Sequence, residues 1–203
     1  MDDYDIYDAL DADFLNLKLD LESKDEERRK NAIERLRCRG FHQFICFYYN
    51  LGAVMIIRNF TVDEIFINLG SFVDPMTQQI GDFSLISEYF PVAFVRSNFK
   101  RFLDLYPGQA QLLIKAAGIK IHYVEDLDFL LSAGISYDRL IKPFKQSDLW
   151  EYCSNVEILF RCIDVFFKHG VMKSQIQKDL LNERCRNWQV DEVLNRQRWE
   201  SYC

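Results

Sequence analysis

Cys38-x3-His42-x3-Cys46 is the run in this chain whose residue types best suit a metal ion. Thiolate and imidazole both bind zinc well, and helical neighbours four apart can share one ion. Residues eight apart are separated by roughly 12 Å along a helix axis, so a single ion does not reach both cysteines. No fourth ligand lies close in sequence. The expectation is thiols and an imidazole on a buried face, with no metal and no cofactor.

Two further histidines invite a catalytic reading. His122 sits in an apolar run with Glu125 and Asp126 nearby, and a histidine–acid pair can act as a base. No nucleophile motif accompanies it. His169 precedes Gly170, where an imidazolium can satisfy the last carbonyls of a helix and complement its dipole. Capping is the expected role there. The neighbouring acids Asp126 and Asp128, and Asp191 and Glu192, read as solvated helix faces. The chain has no G-x-S-x-G, P-loop, Rossmann glycine run, H-E-x-x-H or C-x-x-C. A non-enzymatic role follows, and an enzyme whose site assembles from distant residues is kept as an alternative.

Charge is the more informative pattern. The net charge of −6 divides sharply along the chain. Residues 1–27 carry eleven acids against Lys18 and Lys24, net −9, while residues 28–39 carry six bases against Glu34, net +5. The remaining residues net −2. An acidic arm, a basic helix and a nearly neutral body result. Overall acidity disfavours nucleic acid as the main partner, since that affinity rests on neutralising phosphates. The basic helix offers Arg28, Arg29, Arg35 and Arg37 as a charged interaction surface, and nucleic-acid binding through 28–39 is the runner-up function. The simpler reading is neutralisation of these arginines by the acids just before them, within the chain or across a dimer. Lys168, Lys173, Lys178, Arg184 and Arg186 thread two later helices, but that pattern fits any helical hairpin.

The elements that position these groups are helical. The chain has 203 residues, 49% of them hydrophobic and 28% charged, too apolar for disorder. Eight glycines and four prolines exclude collagen-like and low-complexity classes. Within the arm, Ile6, Leu10, Phe14, Leu17 and Leu21 fall within about 80° of one another on a helix. The alternation of Leu15, Leu17, Leu19 and Leu21 with polar residues is a competing strand pattern, and early aspartates favour the helix. Ser23-x-x-Glu26 and Thr61-x-x-Glu64 read as capping boxes, and Gly40 as a stop. Asp74-Pro75 reads as a helix start. Pro91 kinks or splits a helical run over 83–105. Pro107-Gly108 is a turn, and 119–124 alternates weakly. Further helices are expected near 109–117, 127–133, 137–142, 148–169 (capped by Ser147), 173–184 and 188–201. Gly118, Gly134 and Gly170, each followed by an apolar residue, carry the Schellman signature.

Residues 40–57 hold no charge over eighteen positions, the lower edge of a membrane span. His42, Gln43, Asn50 and two tyrosines are costly in lipid, so no membrane span is expected. The six cysteines follow no basic leader, and Cys153 and Cys162 point to opposite sides of one helix. Reduced thiols and an intracellular location, cytoplasmic or nuclear, follow.

The fold expected is all-α: a compact bundle of about eight or nine helices around a central apolar helix at about 41–58. An acidic arm over 1–22 precedes a single domain over 23–203. Helices 83–105 and 148–169 should pack on the central one through Phe44, Phe47, Leu51, Phe94, Phe99, Phe102, Leu159, Ile163 and Phe166. Tyr4, Ile6, Tyr7, Leu10, Phe14, Leu15 and Leu17 are poor choices for an idle solvated tail, and a groove in this chain or in a partner must cover them; Tyr4, Ile6, Tyr7, Leu10, Phe14 and Leu17 are the expected partner contacts. The expected function is a protein–protein interaction protein, an adaptor that binds a partner protein through the arm and an aromatic-rich helical surface. Homodimerisation is one arrangement the arm allows. The composition also suits a viral accessory protein that binds a host factor.

Overall fold

The computed structural model describes residues 3–70, 87–121, 123–141, 155–183, 193–194 and 197–201. Asp74-Pro75, His122, Ser147, Cys153, Arg184, Arg186, Asp191 and Glu192 lie outside that set, as do the side chains of residues 3–11. The regular elements among the described residues are all helices, without a strand. Two compact units divide the chain, Met1–Ala117 and Gly118–Cys203.

The first unit opens with α1 (Asp3–Leu21), α2 (Glu26–Arg39), α3 (Phe41–Asn59) and α4 (Val62–Gly70). Phe14, Leu17 and Leu21 lie three or four residues apart on one face of α1, and all three are buried. They pack toward α2, which buries Ala32 and Leu36, and toward α3. Asp25 caps α2 by accepting from the Glu27 and Arg28 amides, two positions after the expected cap at Ser23. The Ser23 hydroxyl instead accepts from the Asp25 amide. Gly40 ends α2 at φ +86°, and its N–H donates to the Leu36 carbonyl. The Thr61–Glu64 box is formed in both directions: the Thr61 amide donates to Glu64 Oε2 at 2.9 Å, and the Glu64 amide to Thr61 Oγ1 at 3.3 Å.

The expected central helix is broken. Tyr49 sits at φ +50°, ψ −131°, a conformation side chains rarely adopt, and there α3 turns back on itself. A Cβ at Gly52 would stand 2.9 Å from the Phe44 carbonyl oxygen and 3.2 Å from Ile45 Cα. In a straight helix residues 44 and 52 would be about 12 Å apart. The break corrects two core expectations. Phe44 is fully buried, but Phe47 is 38% and Leu51 45% exposed, because a 44–47–51 stripe needs a continuous helix. Among the described residues no single helix is long and apolar enough to cross a membrane. Only α2 and α3 taken together reach that length, across a 119° bend.

Pro91 starts α5 (Val92–Ser97), and Asn98 separates it from α6 (Phe99–Leu105). The Asn98 side chain donates to the Phe94 carbonyl at 2.9 Å, so the 83–105 run is two helices where it is described. A 3-10 turn at Pro107–Gln109 leads into α7 (Ala110–Ala116). Phe90, Phe99 and Phe102 are buried here, and Phe102 lies 4.7 Å from Phe66 of α4, edge to face.

The second unit holds α8 (Val124–Ser132), α9 (Tyr137–Ile141), α10 (Val156–Lys168), α11 (Lys173–Glu183) and α12 (Gln197–Ser201). Leu159, Ile163 and Phe166 of α10 are buried, and the partner of α10 within this unit is α8 rather than the expected central helix. Asn155 caps α10. α8 and α10 run in the same sense, since Glu125 pairs with Arg161 and Asp128 with Lys168. Both later glycine stops take the Schellman form. The Ile135 amide donates to Leu130 and the Val171 amide to Phe166, across Gly134 at φ +95° and Gly170 at φ +77°. Twelve α-helices occur among the described residues, more than the eight or nine expected.

Candidate interaction surface

The acidic arm and the basic helix meet in the first unit. Arg28 donates to Asp20 Oδ1 at 2.6 Å, and Arg35 to Asp13 Oδ1 at 2.6 Å. Arg35 also approaches Asp20, and Arg39 pairs with Asp13. Asp13 and Asp20 share the flank of α1 that faces α2, seven residues apart, so two carboxylates serve three guanidinium groups. All these groups keep contact with water, so each pair adds about 0–1 kcal/mol. Burial of Phe14, Leu17 and Leu21 adds roughly 1.5–3 kcal/mol each, so apolar packing holds the arm and the ion pairs orient it.

The other two arginines of the expected charged surface are also engaged by the chain. Arg29 donates to the Ser23 carbonyl at 2.8 Å. Arg37 pairs with Glu34 and Glu64 and lies over the Phe60 ring, 5.6 Å from its centroid. The Thr61 amide and hydroxyl, then Arg37, hold the Glu64 carboxyl below its ordinary range, and Glu64 in turn raises Arg37.

Phe14 inserts among aromatic rings of α3. It lies 6.1 Å from Phe44, edge to face, and 5.3 Å from Phe47. Phe14 and Leu17, both expected to touch a partner, are therefore covered by their own chain. Tyr4, Ile6, Tyr7 and Leu10 precede the described side chains. The opposite face of α1 carries Leu15, expected to be covered with the rest of the arm, and Leu19, which that expectation left out; one turn apart, each is 51% exposed. Their place in an alternating leucine run was the available signal, and it pointed toward a strand. Asn68 was also overlooked. Its side chain accepts from the Phe41 amide at 2.8 Å and donates to the Arg37 carbonyl at 3.4 Å, bridging the end of α2 and the start of α3. No sequence pattern marks it.

The cysteines, histidines and acids whose types suit chemistry serve structural ends where they are described. Cys38 ends on α2 and Cys46 on α3, across the Gly40 bend, and both are exposed. Among the described residues no three His, Cys, Asp or Glu side chains gather as a metal site requires. Asp126 is buried rather than solvated and accepts from the Lys120 amide at 2.9 Å. The Asp128 carboxylate receives Lys168 at 2.8 Å and His169 Nε2 at 2.6 Å, and these bonds lower its pKa. His169 caps α10 with its backbone N–H, while its ring is turned to Asp128. Tyr137 donates to Asp179 at 2.7 Å, and burial, then the carboxylate, pushes its pKa up. Burial raises Tyr106 to about 12, and its hydroxyl donates to the Leu69 carbonyl. Arg198 lies over the Phe160 ring between Glu157 and Asp164, fastening α12 to α10.

No protein-family model, curated protein or solved structure matches this chain.

Proposed function

We propose that this chain is a non-enzymatic, intracellular protein–protein interaction protein, cytoplasmic or nuclear, whose acidic arm meets its partner through the outward face of α1. One observation carries this reading. Half-exposed Leu15 and Leu19 form an apolar edge on a helix whose other face is already satisfied. Acids and an amphipathic edge on one helix are a standard recognition device. The exposed Phe47 ring, in contact with Phe14, extends the aromatic character beside the docked arm. The nucleic-acid alternative loses ground, because the arginines it would use are engaged by Asp13, Asp20, Glu34, Glu64 and the Ser23 carbonyl.

The test is affinity purification of the tagged full chain, comparing wild type with Leu15→Asp/Leu19→Asp. The changed side chains are outward, so the thermal midpoint should move little. A protein that co-purifies with wild type at stoichiometric yield and is lost from the double variant supports the reading. Identical yields from both sink it.

A further inference from the structure

The groove that receives α1 is defined by its occupant. It takes a helix with acids at two positions seven apart and apolar side chains at 14, 17 and 21. Arg28, Arg35 and Arg39 form its charged rim, and Ala32, Leu36 and Phe44 are buried beneath. This chain's own arm meets that specification, and a second copy brings the same arm. Whether the arm enters its own groove depends on the connection Glu22–Asp25. That connection is closed by bonds within its neighbourhood in sequence: the Glu22 amide to the Lys18 carbonyl at 3.1 Å, the Ser23 amide to the Asp20 carbonyl at 3.2 Å, the Asp25 amide to the Ser23 hydroxyl at 3.1 Å, and Arg29 of α2 to the Ser23 carbonyl at 2.8 Å, the last of which exchange must give up. It contains neither glycine nor proline, and each of its residues is compatible with a helix.

We propose that the arm groove is also a self-association site, in which two copies exchange α1 while α1 and α2 join through a straightened 22–25 segment. Exchange preserves every arm–groove contact and changes only the hinge, the usual route to a swapped dimer. The short tether holds the arm near its own groove at a millimolar effective concentration, so the closed single chain dominates in dilute solution. The opened helix would span residues 3–39, about 55 Å at 1.5 Å per residue. This inference does not depend on the outward leucines of the proposed function.

Two experiments on the full chain test it, each read by light scattering after gel filtration. The first deletes Ser23 and Lys24, so the arm no longer folds back on its own helix. The variant should run at twice the 24.2 kDa of one chain at micromolar concentration. Its dimer dissociation constant should fall at least about 100-fold below wild type. The second mixes a basic-arm variant (Asp13→Lys/Asp20→Lys) with an acidic-groove variant (Arg28→Glu/Arg35→Glu/Arg39→Glu). Each opposes its own arm, and reciprocal exchange restores complementarity in both, so the mixture should yield a 1:1 heterodimer. If the deletion variant does not fold, the mixture decides alone. A folded but monomeric deletion variant, or a mixture with no heterodimer, overturns the proposal.

Discussion

Single positions set the shape of the arm's seat. Gly52 is the sharpest case. Replacing glycine by alanine within a helix ordinarily stabilises it by roughly 0.5–1 kcal/mol. Here the added methyl meets the Phe44 carbonyl at 2.9 Å, a backbone atom that side-chain movement cannot clear. Gly52→Ala should therefore destabilise by about 1–3 kcal/mol in a denaturant titration, and a stabilised variant would show that α3 does not fold back. Tyr49 explains why the break was hard to read. Neither glycine nor proline stands at the turn, and the rings of Tyr49 and Tyr89, 5.2 Å apart, accompany a conformation no local propensity encodes. Asp128 supplies a pH test. Lys168 and His169 lower its pKa in the folded chain, so the unfolded chain takes up a proton first as pH falls. Its contribution is then complete above the ordinary carboxylate value, near 4, and is lost as pH drops through the lower folded value. The stability gap between wild type and Asp128→Asn should close as pH falls from about 5 to below about 4. A gap that widens between about pH 5 and 4 would contradict the pairing.

At the scale of elements, the division of labour between packing and charge in α1 is directly measurable. Leu17→Ala removes a fully buried side chain and should cost about 2–5 kcal/mol by its urea midpoint. Asp20→Asn breaks pairs that face water and should cost under about 1 kcal/mol, less still in molar salt. The reverse order would mean that charge, not packing, seats the arm. Local rules were enough to find most helix ends: Gly40, Gly134 and Gly170 stop helices, and Thr61 with Glu64 starts one. Ser23 failed as a cap because Asp25, closer to the helix, offers a charged acceptor to two amides. The 44–47–51 stripe failed because periodicity presumes the straight helix that Tyr49 ends. In the arm, the matching charges of 1–27 and 28–39 were legible as composition. Their pairing required knowing that α1 folds back on α2, a tertiary fact that places Asp13 twenty-two residues from its partner Arg35.

For the molecule as a whole, the charge split acquires a physical meaning. The acidic segment is a helix seated on the basic one, so much of the apparent surface charge of α2 is consumed internally, while Leu15 and Leu19 are left facing solvent. The two proposals give this arm, whose described apolar anchors are Phe14, Leu17 and Leu21, the roles of partner surface and exchangeable element. Both proposals stand on α1 being docked within the single chain in solution. Amide hydrogen exchange over residues 12–21 of the full chain, at micromolar concentration, tests this most directly. Docking predicts slow exchange in that segment, matching α2 and accelerated by Leu17→Ala. Exchange at the rate of an unstructured chain, unchanged by Leu17→Ala, would contradict it.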